Sequence, residues 1–245
     1  MNFFFKKKPL VLNCVTNRRD VMTFAPIQKA SKFYPEWWKQ LPKTYLVPNI
    51  NMEATTMKSC VGMRDLFQHG LIIPLWSDFV IDIGEIGVNE SMVNFSDGMT
   101  SAIPHQQQQR GEYAPDNLFQ HLKINSPWLL QCEEEVPFMW LEPTWNMVDI
   151  KNYKVLPAVI EYKYQYGTHI NLIFTREQIK KKVFIPFSTP MAHIVPISER
   201  PLKINLIEDA VLHNKLCSEQ THVTFSNTYT NRKNVKQAAC PFSRA

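Results

Sequence analysis

Apolar and polar positions alternate in short runs along this chain, and the runs are separated by proline and by polar clusters. In "WSDFVIDI" Phe79, Ile81 and Ile83 fall on one side and Asp78, Val80 and Asp82 on the other, the pattern of a half-buried strand. Gly84 and Gly87 permit a turn, and "SMVNFSD" then returns as the hairpin partner. In "AVIEYKYQYGTHINLIFT" Ile160, Tyr162, Tyr164 and Tyr166 alternate with Glu161, Lys163 and Gln165. Gly167 and Thr168 then predict a turn. Ile170, Leu172 and Phe174 face away from His169, Asn171 and Ile173, which predicts a second strand and so a hairpin. Strands are also expected over 9–16, "PLVLNCVT", and over 203–207. The apolar clusters 128–130 and 137–141 flank Glu133, Glu134 and Glu135, while 101–117 is polar and predicts a surface loop.

Helical signals are fewer and shorter. Pro35 suits the first turn of a helix carrying Glu36, Trp37 and Trp38, which Pro42 ends. Adjacent tryptophans on one turn point apart, so one packs inward and the other covers a second surface or a partner. A turn from Arg64 to His69 is closed by Gly70. "TREQIKKK" predicts a short helix capped by Thr175, with Gln178 three residues on, and another helix is expected from Glu208 to Cys217. The fold class is therefore mainly β, a β-sandwich or jelly-roll-like domain with a few short helices. It is expected to span residues 1–220, with a polar tail over 221–245 docked on a partner and its first residues a candidate last strand.

Composition supports a packed core: 44% of the 245 residues are hydrophobic and 12% aromatic. Seventeen prolines and seven glycines argue against glycine-rich phosphate loops and against a long helical bundle. The net charge of +5 comes mostly from Lys6, Lys7, Lys8 and from Lys180, Lys181, Lys182. Basic and aromatic residues do not alternate, so nucleic acid is not an expected partner. Five cysteines, an odd number without CxxC spacing, predict reduced thiols in a cytoplasmic setting. The apolar run at the N-terminus precedes its lysines, the reverse of a secretory signal. No apolar run reaches the ~20 residues of a membrane helix, so no membrane partner is expected.

Candidate chemistry centres on His193 in "FIPFSTPMAHIVPISER". A β-barrel oxygenase needs His-x-Asp or His-x-Glu on one strand and a distal histidine, and a cupin needs His-x-His with a glutamate. Neither pattern occurs among the seven histidines. His193 is therefore expected to be a strand residue with a satisfied hydrogen bond. Pro186 and Pro190 place the start of that strand at an edge or bend. His169 and His193 are the candidate metal ligands only if the chain is an enzyme; otherwise no catalytic residue, metal or cofactor is expected. No nucleophile elbow, Walker loop or dinucleotide fingerprint is present. Cys132 lies beside carboxylates that disfavour a thiolate. Only Glu133 and Glu135 of the acidic run could converge on one strand face, with Trp128, Trp140 and Trp145 near enough in sequence to stack on a sugar. A solvated acidic turn is the simpler expectation. The tyrosines at 162, 164 and 166 suit a packed face, and the glutamines of "HQQQQ" a polar contact surface.

The stretches "FYPEWWKQLPK", "GLIIPLWSDFVIDI" and "PFSTPMAHIVPISER" resemble those of uncharacterised proteins of large contractile-tailed bacteriophages, the cyanophage-type myoviruses. The resemblance runs from the first strand to about Arg200. It implies a phage origin and a β-rich fold, and a glutamine often at the position of His193; it carries no activity. Two functions follow as expectations. One is a phage structural or protein-interaction protein, in the host cytoplasm or the virion, whose partners are other phage proteins or further copies of itself. The alternative is a jelly-roll metal-dependent enzyme, cupin- or oxygenase-like, acting on a host metabolite or protein.

Overall fold

Strand β1 (Leu10–Thr16) turns Leu10, Leu12 and Cys14 inward, where all three are fully buried. In the computed structural model, which describes residues 7–83, 91–100, 102–105, 107–109, 111–113, 115, 118–146, 153–175, 183–225 and 230, β1 is the seam of the first large sheet. It pairs in parallel with β16 (Leu202–Glu208) and antiparallel with β9 (Phe119–Gln131). Beyond β9 lie β13 (Gly167–Thr175) and then β11 (Tyr153–Val155), and β8 (Ala102–His105) pairs with the first half of β9.

The second large sheet runs β12 (Ala158–Glu161), β10 (Pro137–Leu141), β15 (Pro190–Pro196), β5 (Leu71–Pro74) and β2 (Gln28–Lys29). A third sheet of β14 (Val183–Ile185), β6 (Phe79–Ile83) and β7 (Ser91–Phe95) extends the wall. From β9 to β13 each successive strand changes sheet, so the chain winds back and forth across the core. Leu122, Ile124, Ile170, Leu172 and Phe174 meet Ile73, Phe138, Trp140 and Ile194 between the sheets, all at most 2% exposed. Fully burying a side chain such as Phe138 contributes roughly 1.5–3 kcal/mol.

The mainly-β sandwich expected from the pattern is thus the observed class, and the strands at 9–16, 79–83 and 203–207 lie where alternation puts them. The hairpin expected over 158–174 does not form. Its first strand ends at Glu161 and belongs to the second sheet, while β13 belongs to the first. Tyr162 and Tyr164 sit on the turn that crosses between them, with the Tyr164 amide donating to the Glu161 carbonyl at 3.1 Å. Burial on both flanks of a crossing turn imitates a strand's alternation. Gly167 begins β13, at a bulge, rather than making a turn. The loop expected over 101–117 contains β8, whose Ile103 and His105 pair with the outward Lys123 and His121 of β9. The candidate last strand after residue 220 is instead the end of α4 (Ala210–Phe225). Strand β5 was hidden in a continuous apolar run, buried on both faces. The Gly84 and Gly87 turn, the 176–182 helix and most of the 221–245 tail lie outside the described residues.

Short helices cover the second sheet. Pro35 stands just before α2 (Glu36–Gln40), and α3 (Val61–Gln68) ends at His69. Trp38 packs between Tyr34 and Phe67, with ring centroids 6.4 and 5.1 Å away, and Trp37 stays 40% exposed. Gly70 follows at φ +75°, and a Cβ there would stand 2.1 Å from the Ile194 carbonyl oxygen. No other residue fits this approach of loop to strand. On the far side α1 (Arg19–Phe24) follows β1, and Arg18 beside it binds Asp97 at 2.5 Å. Asp97 also accepts from the Thr100 hydroxyl, which in turn accepts from the Trp76 indole.

One element has no place in either sheet. Strands β3 (Thr44–Val47) and β4 (Met52–Thr55) pair only with each other. Asn49 and Asn51 take the left-handed conformation in the connection between them, which asparagine tolerates best after glycine. The hairpin is anchored at its base. The Thr56 hydroxyl donates to the Pro42 carbonyl, and the Lys58 ammonium to the carbonyls of Lys39 and Leu41.

Candidate functional site

His193 sits in the middle of β15, where its neighbours Ala192 and Ile194 enter the core. Strand alternation turns the imidazole to the outer face of the second sheet, opposite Ile72 and Leu141. The ring is only 5% exposed. Its Nε2 lies 2.7 Å from the carbonyl oxygen of His69, which Gly70 holds against the strand. A carbonyl only accepts, so Nε2 carries the proton and Nδ1 a lone pair. Burial lowers the pKa of the ring, and the bond to His69 only partly offsets this, so the imidazole is neutral at pH 7.

A cavity of about 450 Å³ opens beside it. The ring of Phe67 and the side chains of Leu66, Leu141, Val155 and Leu156 give it apolar walls. The 3₁₀ turn Thr144–Asn146 closes one side. That turn is tied to the helical layer: the Trp37 indole donates to the Trp145 carbonyl at 2.9 Å, and the Asn146 amide to the Phe33 carbonyl at 2.5 Å. Glu142 is committed to the wall, accepting from the Val155 amide at 2.9 Å and the Thr144 hydroxyl at 3.2 Å.

His169 is elsewhere. It lies on the outer face of the first sheet, opposite Asn125 on β9, with the hydrophobic core between it and the His193 sheet. Burial, with Lys123 and His105 adding positive charge nearby, lowers its pKa to about 4. The pair named as candidate metal ligands is therefore not brought together. Among the described residues no three His, Cys, Asp or Glu side chains gather as a metal site would need.

The acidic run is a turn, as the simpler expectation had it, so Glu133 and Glu135 do not converge on a strand face. Glu134 makes a two-point ion pair with Arg200, at 2.5 and 2.9 Å, and Glu135 accepts from Tyr164 at 2.6 Å and Lys163 at 2.8 Å. Trp128 and Trp140 are core residues, and the Trp140 indole donates to the Tyr162 hydroxyl. Neither can stack on a sugar. Burial pushes the Cys132 thiol up; the Glu134 amide partly opposes this, and the charges of Glu134 and Glu133 add to it. His105 stands on β8 with its ring 4.6 Å from that of His121.

The second candidate surface is the β3–β4 hairpin, which no sequence motif announced. Leu46 is 60% exposed, Ile50 65% and Met52 57%, and Tyr45, Met57 and Val61 are exposed beside them. Tyr45 and Leu46 are neighbours on one strand and point to opposite faces, so both faces of the hairpin meet solvent. The one available signal was five apolar residues within 45–52.

Fold and sites together define a mainly-β sandwich with an exposed apolar hairpin and a cavity walled in part by α3. No protein-family model, no curated protein and no solved structure matches the chain. Among the described residues no helix is long and apolar enough to cross a membrane.

Proposed function

We propose that this chain is a structural, protein-interaction component of a bacteriophage particle, joined to a neighbouring subunit through its β3–β4 hairpin. The observation that carries this reading is the hairpin itself. Isolated two-stranded hairpins are marginally stable in water, and contiguous exposed apolar surface marks interaction sites. A projecting arm that buries its side chains on a neighbour resolves both difficulties, and its open strand edges can add to a neighbour's sheet. The phage setting is supported by the resemblance in "FYPEWWKQLPK", "GLIIPLWSDFVIDI" and "PFSTPMAHIVPISER". The chain is made in the host cytoplasm and then enters the particle.

Cross-linking mass spectrometry of particles purified from the encoding phage tests this. Peptides spanning residues 44–61 are expected in cross-links to a neighbouring subunit. Absence of the chain from particles overturns the reading. The alternative, a metal-dependent enzyme, would need ligands other than the pair His169 and His193, which lie on different sheets.

A further inference from the structure

We infer that the cavity beside His193 binds a small aromatic molecule carrying one hydroxyl or N–H group, with His193 Nδ1 as the acceptor of that hydrogen. The volume, about 450 Å³, falls in the range of small-molecule sites, which are mostly apolar with a few placed polar groups. Phe67, Leu141, Val155 and Leu156 supply the apolar walls, and Trp145 a further ring. Flat rings bury the most area against such walls for the least loss of conformational freedom.

The polar groups select the ligand's chemistry. His193 is 95% buried by its 5% exposure, and it lines the cavity. Its Nε2–H is spent on the His69 carbonyl, the one hydrogen bond the ring makes among the described residues, which leaves the Nδ1 lone pair to a guest. A nearly buried lone pair facing a cavity favours a guest that donates to it. Each Glu142 oxygen accepts one bond from the wall, which fixes the carboxylate in place at the cavity's edge. The carbonyl fixes the tautomer: a ligand that only accepts finds no ring proton at Nδ1. Gly70 keeps that carbonyl in place, so this one backbone position sets the polarity of the cavity.

Phenol and fluorobenzene are the probes, since they match in shape and differ in the donor. Titration of the full-length, isotope-labelled chain is followed by NMR. Phenol is expected to shift the Val155 amide and Trp145 indole signals and to bind about tenfold more tightly than fluorobenzene, the worth of one hydrogen bond to a buried acceptor. His193→Leu removes the preference, leaving the two probes equal. Leu156→Trp, a change at a partly exposed wall residue that leaves the core intact, fills the cavity and abolishes both responses. Equal affinities in the native chain overturn the inference. So does the lack of any shift, or phenol binding that Leu156→Trp leaves unchanged.

Discussion

The sandwich and the β3–β4 hairpin are built from the same kinds of residue and treat them oppositely. Leu, Ile and Met side chains between the sheets are sealed from water, whereas Leu46, Ile50 and Met52 are more than half exposed. The sandwich residues stabilise the subunit by their own burial. The hairpin residues gain nothing until something covers them. Apolar character alone does not say which role a residue has; sheet pairing does. Every strand of the sandwich has neighbours in a larger sheet, and β3 and β4 have only each other.

The contrast can be broken at its strong end first. Phe138→Ala empties the centre of the core, where Phe138 lies against Tyr162 with ring centroids 5.1 Å apart. A loss of about 3–5 kcal/mol is expected in urea denaturation. Gly70→Ala should cost about 3 kcal/mol, because strain at a positive φ adds to a clash with the Ile194 carbonyl. It should also release the His69 carbonyl from His193, visible as a changed His193 imidazole resonance.

The cluster at Asp97 gives a smaller effect with a pH signature. Burial raises the pKa of this carboxyl, and the bonds from Arg18 and Thr100 outweigh burial and leave it below its ordinary value. A depressed acid contributes stability above its unfolded pKa near ~4, and that stability is lost as pH falls through the folded value. Asp97→Asn should cost about 2 kcal/mol at pH 7 and flatten the acid limb of the stability curve. His169 acts in a neighbouring window. Its folded pKa of about 4 lies below the ordinary histidine value near ~6.5, so the unfolded chain binds the proton first. Stability is therefore full above that ordinary value and declines as pH drops toward 4. His169→Asn should remove this part of the slope in denaturation curves taken at pH 7.5 and 5.

These residues also show what was legible in the chain. Alternation announced β6 and β13, because one face of each is buried and period two survives there, while β1 alternates only over its first half and β16 carries no fully buried residue. The Trp37 and Trp38 turn was legible from its bracketing prolines, and His193 as a strand residue with a satisfied bond from its missing companions. Strand β15 starts at Pro190 beside a bulge, the bend that proline required, although it lies in the middle of its sheet. Sheet membership was not legible. The tyrosines at 162 and 164 alternate like a strand while crossing between sheets, and nothing local distinguishes the two. The cavity was also hidden, since Leu66, Leu141 and Val155 come from segments far apart in sequence and meet only when the sheets close. The Arg18 and Asp97 pair spans 79 residues and has no local signature.

At the weak end of the comparison, substitutions in the hairpin should leave the subunit untouched. Leu46→Asp with Ile50→Asp is expected to change stability by less than about 0.5 kcal/mol, because both side chains already face water. The same double change should matter greatly once the chain meets its neighbour. The most direct measurement is quantitative mass spectrometry of particles purified after the encoding phage is grown with the native or the doubly substituted chain. Depletion of the substituted chain by about tenfold or more, at an unchanged melting temperature, is the predicted result. Equal copy numbers of the two chains, or particles that lack the native one, would contradict the account.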